Sequence, residues 1–151
     1  MWTSEKVKFT GFVWVIFFLT ASLNAQSTSY VTLAGFNQVP EVRTPGQGFL
    51  EITVAGDSLF VSGEFSDLRS SYHSAYIHFG KEGKTGNRLF RLSADVSEDH
   101  LSGTFNEKEN RFKLTNAIIN HLRNGMIYVN ISSRDFRRGE IRGQIPSMNI
   151  E

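Results

Sequence analysis

The chain has 151 residues, 40% of them hydrophobic and 21% charged, a composition that describes one ordinary globular domain and excludes a disordered tail or fibrous repeat. It has no cysteine, which removes disulfides, thiolate metal sites, a cysteine nucleophile and a cysteine-linked lipid anchor. The formal net charge is +1, and setting residues 1–25 aside (Glu5, Lys6 and Lys8) leaves 14 basic and 14 acidic side chains, a balance that draws the domain to neither nucleic acid nor an anionic membrane.

Lys6 and Lys8 precede an apolar run, Gly11 to Leu23, that ends in the small, polar "NAQS". The run is shorter than the roughly 20 residues that cross a bilayer as a helix, and its basic start and small-residue exit suit signal peptidase. It predicts a signal peptide over residues 1–25, cleaved after Ala25. The protein is then exported, periplasmic or secreted, with no stable membrane anchor, and residues 26–151 form a single β domain.

From Ser29 to Gly35, "SYVTLAG" alternates as a half-buried strand. The segment "NQVPEVRTPGQG" that follows is a long irregular connection, broken by Pro40, Pro45, Gly46 and Gly48. "FLEITV" and "SLFVSGEF" put Leu50, Ile52 and Val54, then Leu59, Val61 and Phe65, on single faces around an "AGD" turn, the pattern of a hairpin. In "SAYIHFG" the alternation turns Ala75, Ile77 and Phe79 inward and leaves Tyr76 and His78 on the other face; "NRLFRLSA" and "HLSGTF" continue the beat. Thr115 to Asn124 breaks it. Ile118, Ile119 and Leu122 fall at helical spacing, with Thr115 able to cap the start and Gly125 able to end a helix of about two turns. The last strands, "MIYVNIS" and "GEIRGQI", carry Ile127, Val129 and Ile131, then Ile141, Gly143 and Ile145, on their core faces, and "SRDFRRG" joins them. Some eight short strands between Gly- and Asp-bearing turns predict an all-β, antiparallel Greek-key sandwich or barrel with one short inserted helix.

The order "LAG", "NQVPEV", "YIHFG" with "GKTG", a short helix, "GMIYVNI" and "RGEIRGQI" resembles the chordin-type (CHRD) domain over about residues 33–145. The resemblance implies an immunoglobulin-like β-sandwich in an exported protein, with no agreed biochemical activity. Three departures stand out. The family usually has His-Ile-His where this chain has Tyr76-Ile77-His78, and usually Val-His-Thr where it has Ile131-Ser132-Ser133. It commonly has Glu before Val-Pro, where Gln38 stands.

Neither a cofactor nor a metal is expected. Histidines two apart on one strand can share an ion, but His78 is here the one residue on which a metal site could be built, with His73, His100 and His121 scattered over other elements. No catalytic residues are expected either, since no Gly-x-Ser-x-Gly elbow or supported Ser-x-x-Lys appears. Glu98 with Asp99 and Glu107 with Glu109 read as solvated turns, and "GKEGKTG" lacks the ending of a phosphate loop. Arg134, Arg137 and Arg138, in or beside the last hairpin loop, are binding candidates, because arginine forks on loops suit carboxylate, sulfate or phosphate; the alternative is a solvated turn paired with Asp135 and Glu140. Tyr128, Asn130, Glu140, Arg142 and Gln144 read as a structural polar ladder on the outer face of the last two strands. The "NQVPEV" segment should partly cover that ladder, with Gly143 letting it lie close.

The function expected is that of an exported, non-enzymatic binding or presentation module, its partner an extracytoplasmic protein or polysaccharide and not nucleic acid. Two alternatives are a metal-dependent enzyme or metal-binding protein of Greek-key type and a polyanion-binding module using the Arg134–Arg138 loop.

Overall fold

The structure is a computed structural model that describes residues 26–151; the expected signal peptide and its cleavage point lie outside the described residues. β1 (Gln26–Ala34), β2 (Gln47–Ala55) and β3 (Ser58–Ser66) form an antiparallel meander paired along its whole length. Its second turn is the two-residue Gly56–Asp57, where Gly56 takes a φ of +59° that glycine adopts without penalty. The chain then crosses to the far side as β4 (Tyr72–Phe79), which pairs with β5 (Arg88–Leu92) and with β9 (Ile127–Ser133). β6 (Ala94–Val96) and β7 (Gly103–Phe105) pair with each other, and β7 lies on one end of β3, whose other end takes β8 (Arg111–Lys113). β10 (Ile141–Ile145) fits between β9 and β1.

The resulting order is β5-β4-β9-β10-β1-β2-β3-β7-β6. Since Ser93 alone separates β5 from β6, one stretch of chain belongs to both edges, and the sheet nearly closes on itself. This is the expected all-β, antiparallel sandwich or barrel with one short helix, and near-closure leaves few unpaired edge groups. β8 was not anticipated: at three residues it is too short for alternation to show.

Alternation explains the core. Val31 and Leu33, Leu50, Ile52 and Val54, Leu59, Val61 and Phe65, Ala75 and Ile77, Ile127, Val129 and Ile131, and Ile141 and Ile145 are all buried on the inner face. Each large one contributes about 1.5–3 kcal/mol by leaving water, the main source of stability in a chain without cysteine. Phe79 departs from expectation: past a register shift between Ile77 and His78 it is only half-buried and packs on the His121 ring at 4.4 Å.

The helix α1 (Asn116–Arg123) begins at Thr115, whose hydroxyl accepts from the Ile118 amide at 3.3 Å, and ends where Gly125 takes a φ of +62°. It buries Leu122 and clamps the end of the chain: the Arg123 guanidinium donates twice to the Ile150 carbonyl, at 2.9 and 2.8 Å, and Met148 and Ile150 are buried. Pro146–Glu151, beyond the last strand, is therefore docked. The one ion pair among the described residues, Lys113–Asp57 at 3.6 Å, is exposed on both sides and contributes little.

Candidate functional site

The outer face of β4, β9 and β10 is a grid whose rows are set by strand register. Ser74 lies opposite Ser132; Tyr76 opposite Asn130, which lies opposite Arg142; and His78 opposite Tyr128, which lies opposite Gln144. Period-two alternation puts all eight on one side because their neighbours fill the core. The hydroxyls of Ser74 and Ser132 bond each other at 2.8 Å. Asn130 donates to the Arg138 carbonyl at 2.9 Å and accepts from Gln38 Nε2 at 2.7 Å, and Gln144 Nε2 bridges the Gly80 and Gly125 carbonyls.

Tyr128 is the centre of a stack. β9 lies between β4 and β10, so its ring meets His78 on one side, 4.9 Å away and within 14° of parallel, and Arg142 on the other, with Cζ 3.6 Å from the ring centroid. Arg142 is 2% exposed, and its Nη2 donates to the Lys81 carbonyl at 3.1 Å and to Gln144 Oε1 at 3.4 Å. Burial lowers its pKa, opposed by Tyr128 and Glu82, but an arginine keeps its charge.

His78 is 8% exposed, and its Nδ1 lies 3.0 Å from the Gly86 carbonyl. A carbonyl only accepts, so Nδ1 carries the proton, and Nε2 is a bare lone pair with no partner. Burial pushes the ring's pKa below its ordinary value, with Arg88 and Arg142 pushing the same way and the Gly86 bond opposing them. At neutral pH the ring is uncharged.

Three connections and the edge strand raise walls around this grid: Gln38 and Val39 after β1, Thr85 and Gly86 before β5, Arg137 and Arg138 between β9 and β10, and Arg88 on β5 itself. They enclose a cavity of about 510 Å³ lined by four arginines and by no aspartate or glutamate. A neighbouring cavity of about 400 Å³ shares Arg142 and Gln38 and is bordered by Glu82 and by Phe36, which is 70% exposed.

The arginines of the last loop are thus divided. Arg137 and Arg138 line the cavity, while Arg134 is exposed elsewhere, its amide bonded to the Ser71 carbonyl. None pairs with Asp135 or Glu140; Arg137 lies against the exposed His73 ring. Arg88 was not singled out from the sequence, and no local pattern marks it: it reaches the cavity because the bulged β4–β5 pairing sets it opposite His78, with its guanidinium 4.3 Å above Tyr76.

Of the five ladder residues, Tyr128, Asn130, Arg142 and Gln144 share the grid. Glu140 does not. The strand begins only at Ile141, after Gly139 at φ +138°, and the Glu140 carboxylate turns to the end of the barrel. There, with the residue fully buried, it accepts from Thr44 Oγ1 at 2.5 Å, the Arg69 amide at 2.6 Å and Ser133 Oγ. The "NQVPEV" segment does cover the grid, through Gln38 on Asn130 and Asn37 Nδ2 on the Arg142 carbonyl. Gly143, however, admits a different neighbour: a Cβ there would meet Val31 Cγ1 at 2.5 Å and the Thr32 carbonyl at 2.6 Å, so it lets β1 lie close.

Among the described residues no three His, Asp or Glu side chains come together as metal ligands. Tyr76, His78, Ser132 and Gln38, the positions at which the chordin-type resemblance is compared, all line the 510 Å³ cavity. No curated protein and no solved structure matches the chain. The family model described as CHRD domain matches residues 30–145, so the chain belongs to the CHRD domain family.

Proposed function

We propose that this CHRD domain is a non-enzymatic binding module that works outside the cytoplasm and holds its partner, an extracytoplasmic protein or polysaccharide, on the outer face of β4, β9 and β10. The observation that carries the reading is the cavity itself: a hydrogen-bonded polar floor under arginines that have no carboxylate partner. A fixed floor below loop-borne charged groups is how a scaffold presents a binding surface. Phe36 and Val39, exposed on the same connection, add the apolar rim that recognition surfaces commonly carry. Location outside the cytoplasm rests on the basic start, short apolar run and small-residue exit of residues 1–25.

Partner capture tests the binding face. Immobilised protein and its Arg88→Ala/Arg138→Ala variant, both mutated at exposed positions, are exposed to the same envelope and culture-medium fractions. The wild type should retain a species that the variant loses. Equal retention by both would remove this face from the function.

A further inference from the structure

We propose that the cavity binds a small oxyanion that also carries an O–H donor, hydrogenphosphate or a hydroxylated carboxylate such as a sugar acid. The charge comes from the arginines, and His78 Nε2 accepts the hydroxyl. This rests on the reading of the cavity as the binding site and names what it takes.

Three observations converge. Arg88, Arg137, Arg138 and Arg142 face a space that no carboxylate lines, and the one ion pair among the described residues is elsewhere, so their charge is left for a ligand. The aromatic faces, in contrast, are taken: Arg88 covers Tyr76, while His78 and Arg142 enclose Tyr128. A flat apolar ligand therefore finds no platform, and recognition falls to guanidinium edges.

The third observation sets the chemistry. Among the described residues, His78 Nε2 is the only buried side-chain nitrogen or oxygen without a hydrogen-bond partner, and it belongs to a lining residue. With the proton on Nδ1, Nε2 requires a donor. Sulfate and a plain carboxylate offer none at neutral pH; hydrogenphosphate and hydroxy acids do. Arg88, exposed and without a carboxylate partner, is paired opposite His78 and holds its guanidinium over Tyr76, so its charge lies on the same side of the cavity as that ring.

The test is calorimetric titration of the purified protein near neutral pH, at ionic strength held constant with chloride, using phosphate, glucuronate, sulfate and neutral cellobiose. Phosphate or glucuronate should bind at least about tenfold more tightly than sulfate, because a site built around a hydroxyl rejects the analogue that lacks it. The stronger of the two names the source. Arg138→Ala should weaken that ligand severalfold, and His78→Phe, which keeps the stack on Tyr128, should bring it down to the level of sulfate. Should His78→Phe not fold, the His78 Nε2 nitrogen resonance of the wild type serves instead, moving on addition of the preferred anion and not of sulfate. Sulfate binding as well as the other two anions would overturn the donor requirement. Saturable binding of cellobiose alone would overturn the oxyanion and leave the binding face standing. No binding of any anion overturns this proposal, and partner capture insensitive to Arg88 and Arg138 would then remove the binding face too.

Discussion

Glu140 should be the polar side chain whose loss costs the fold most. Its buried carboxylate ties three separate connections, through Thr44 after β1, the Arg69 amide after β3 and Ser133 at the end of β9. In Glu140→Ala the Ser133 hydroxyl can turn to Ser70, already 3.0 Å away, while the Thr44 hydroxyl still accepts from the Gly46 amide at 3.0 Å but loses the acceptor of its own proton. The Arg69 amide loses its acceptor. An orphaned donor costs about 1–3 kcal/mol, and with the weaker replacements and the emptied volume the total is about 3–5 kcal/mol. That is a large part of the roughly 5–15 kcal/mol that a domain has. Glu140→Gln keeps one oxygen for Thr44 and Arg69 and can turn its amide toward Ser133, so it should lose only about 1–2 kcal/mol. Denaturant unfolding of the three proteins, compared at a common m-value, measures both numbers. A loss below about 1 kcal/mol in Glu140→Ala, or equal losses in the two variants, would refute the carboxylate's role as a three-way tie.

Further predictions concern the cavity and residues 1–25. Arg142→Ala should cost about 1–3 kcal/mol, since it removes a desolvated cation from Tyr128 and the donor to the Lys81 carbonyl, whereas Arg138→Ala, whose side chain is exposed, should stay within about 0.5 kcal/mol; the same unfolding assay compares them. His78 has a pKa below 6.5 in the folded protein, enclosed by Tyr76, Tyr128, Arg88, Arg142 and the Gly86 carbonyl. The unfolded chain therefore takes up the proton first, so stability contributed by the neutral ring is complete above pH 6.5 and declines as pH falls through the folded value; His78→Phe should flatten that part of a stability–pH curve. Protonated His78 becomes a donor, so the preference for phosphate over sulfate should fade over the same range. Intact-mass analysis of exported protein should find a chain starting at Gln26, and recovery of the whole chain with residues 1–25 from washed membranes would contradict this.

What the sequence disclosed and what it hid have a common cause in the range of the interactions. Alternation is local, and it marks the inward residues of β1 to β4, β9 and β10, while Thr115 and Gly125 mark the ends of the helix. Sheet order is not local: nothing near β4 announces that β9 will lie beside it, nor that Ser93 will carry the chain from one edge to the other. The site inherits that division. Tyr76 and His78 could be put on an outer face by period alone, and the ladder residues Tyr128, Asn130, Arg142 and Gln144 likewise. Their enclosure by Gln38, Thr85 and Arg88 depends on loops meeting across the grid. Glu140 was misplaced because Gly139, at φ +138°, rotates the backbone just before the strand whose alternation was extended back to it.

The most direct test of the central claim is a residue-resolved NMR titration of the protein with phosphate near neutral pH. Saturable shifts are expected in the backbone amides of Tyr76, His78, Asn130 and Gly86 and in the side-chain Nε–H groups of Arg88, Arg138 and Arg142, with Arg134 and the β1–β3 face unmoved. Saturable shifts centred on Arg134 or on β1–β3, with the β4, β9 and β10 face silent, would contradict it.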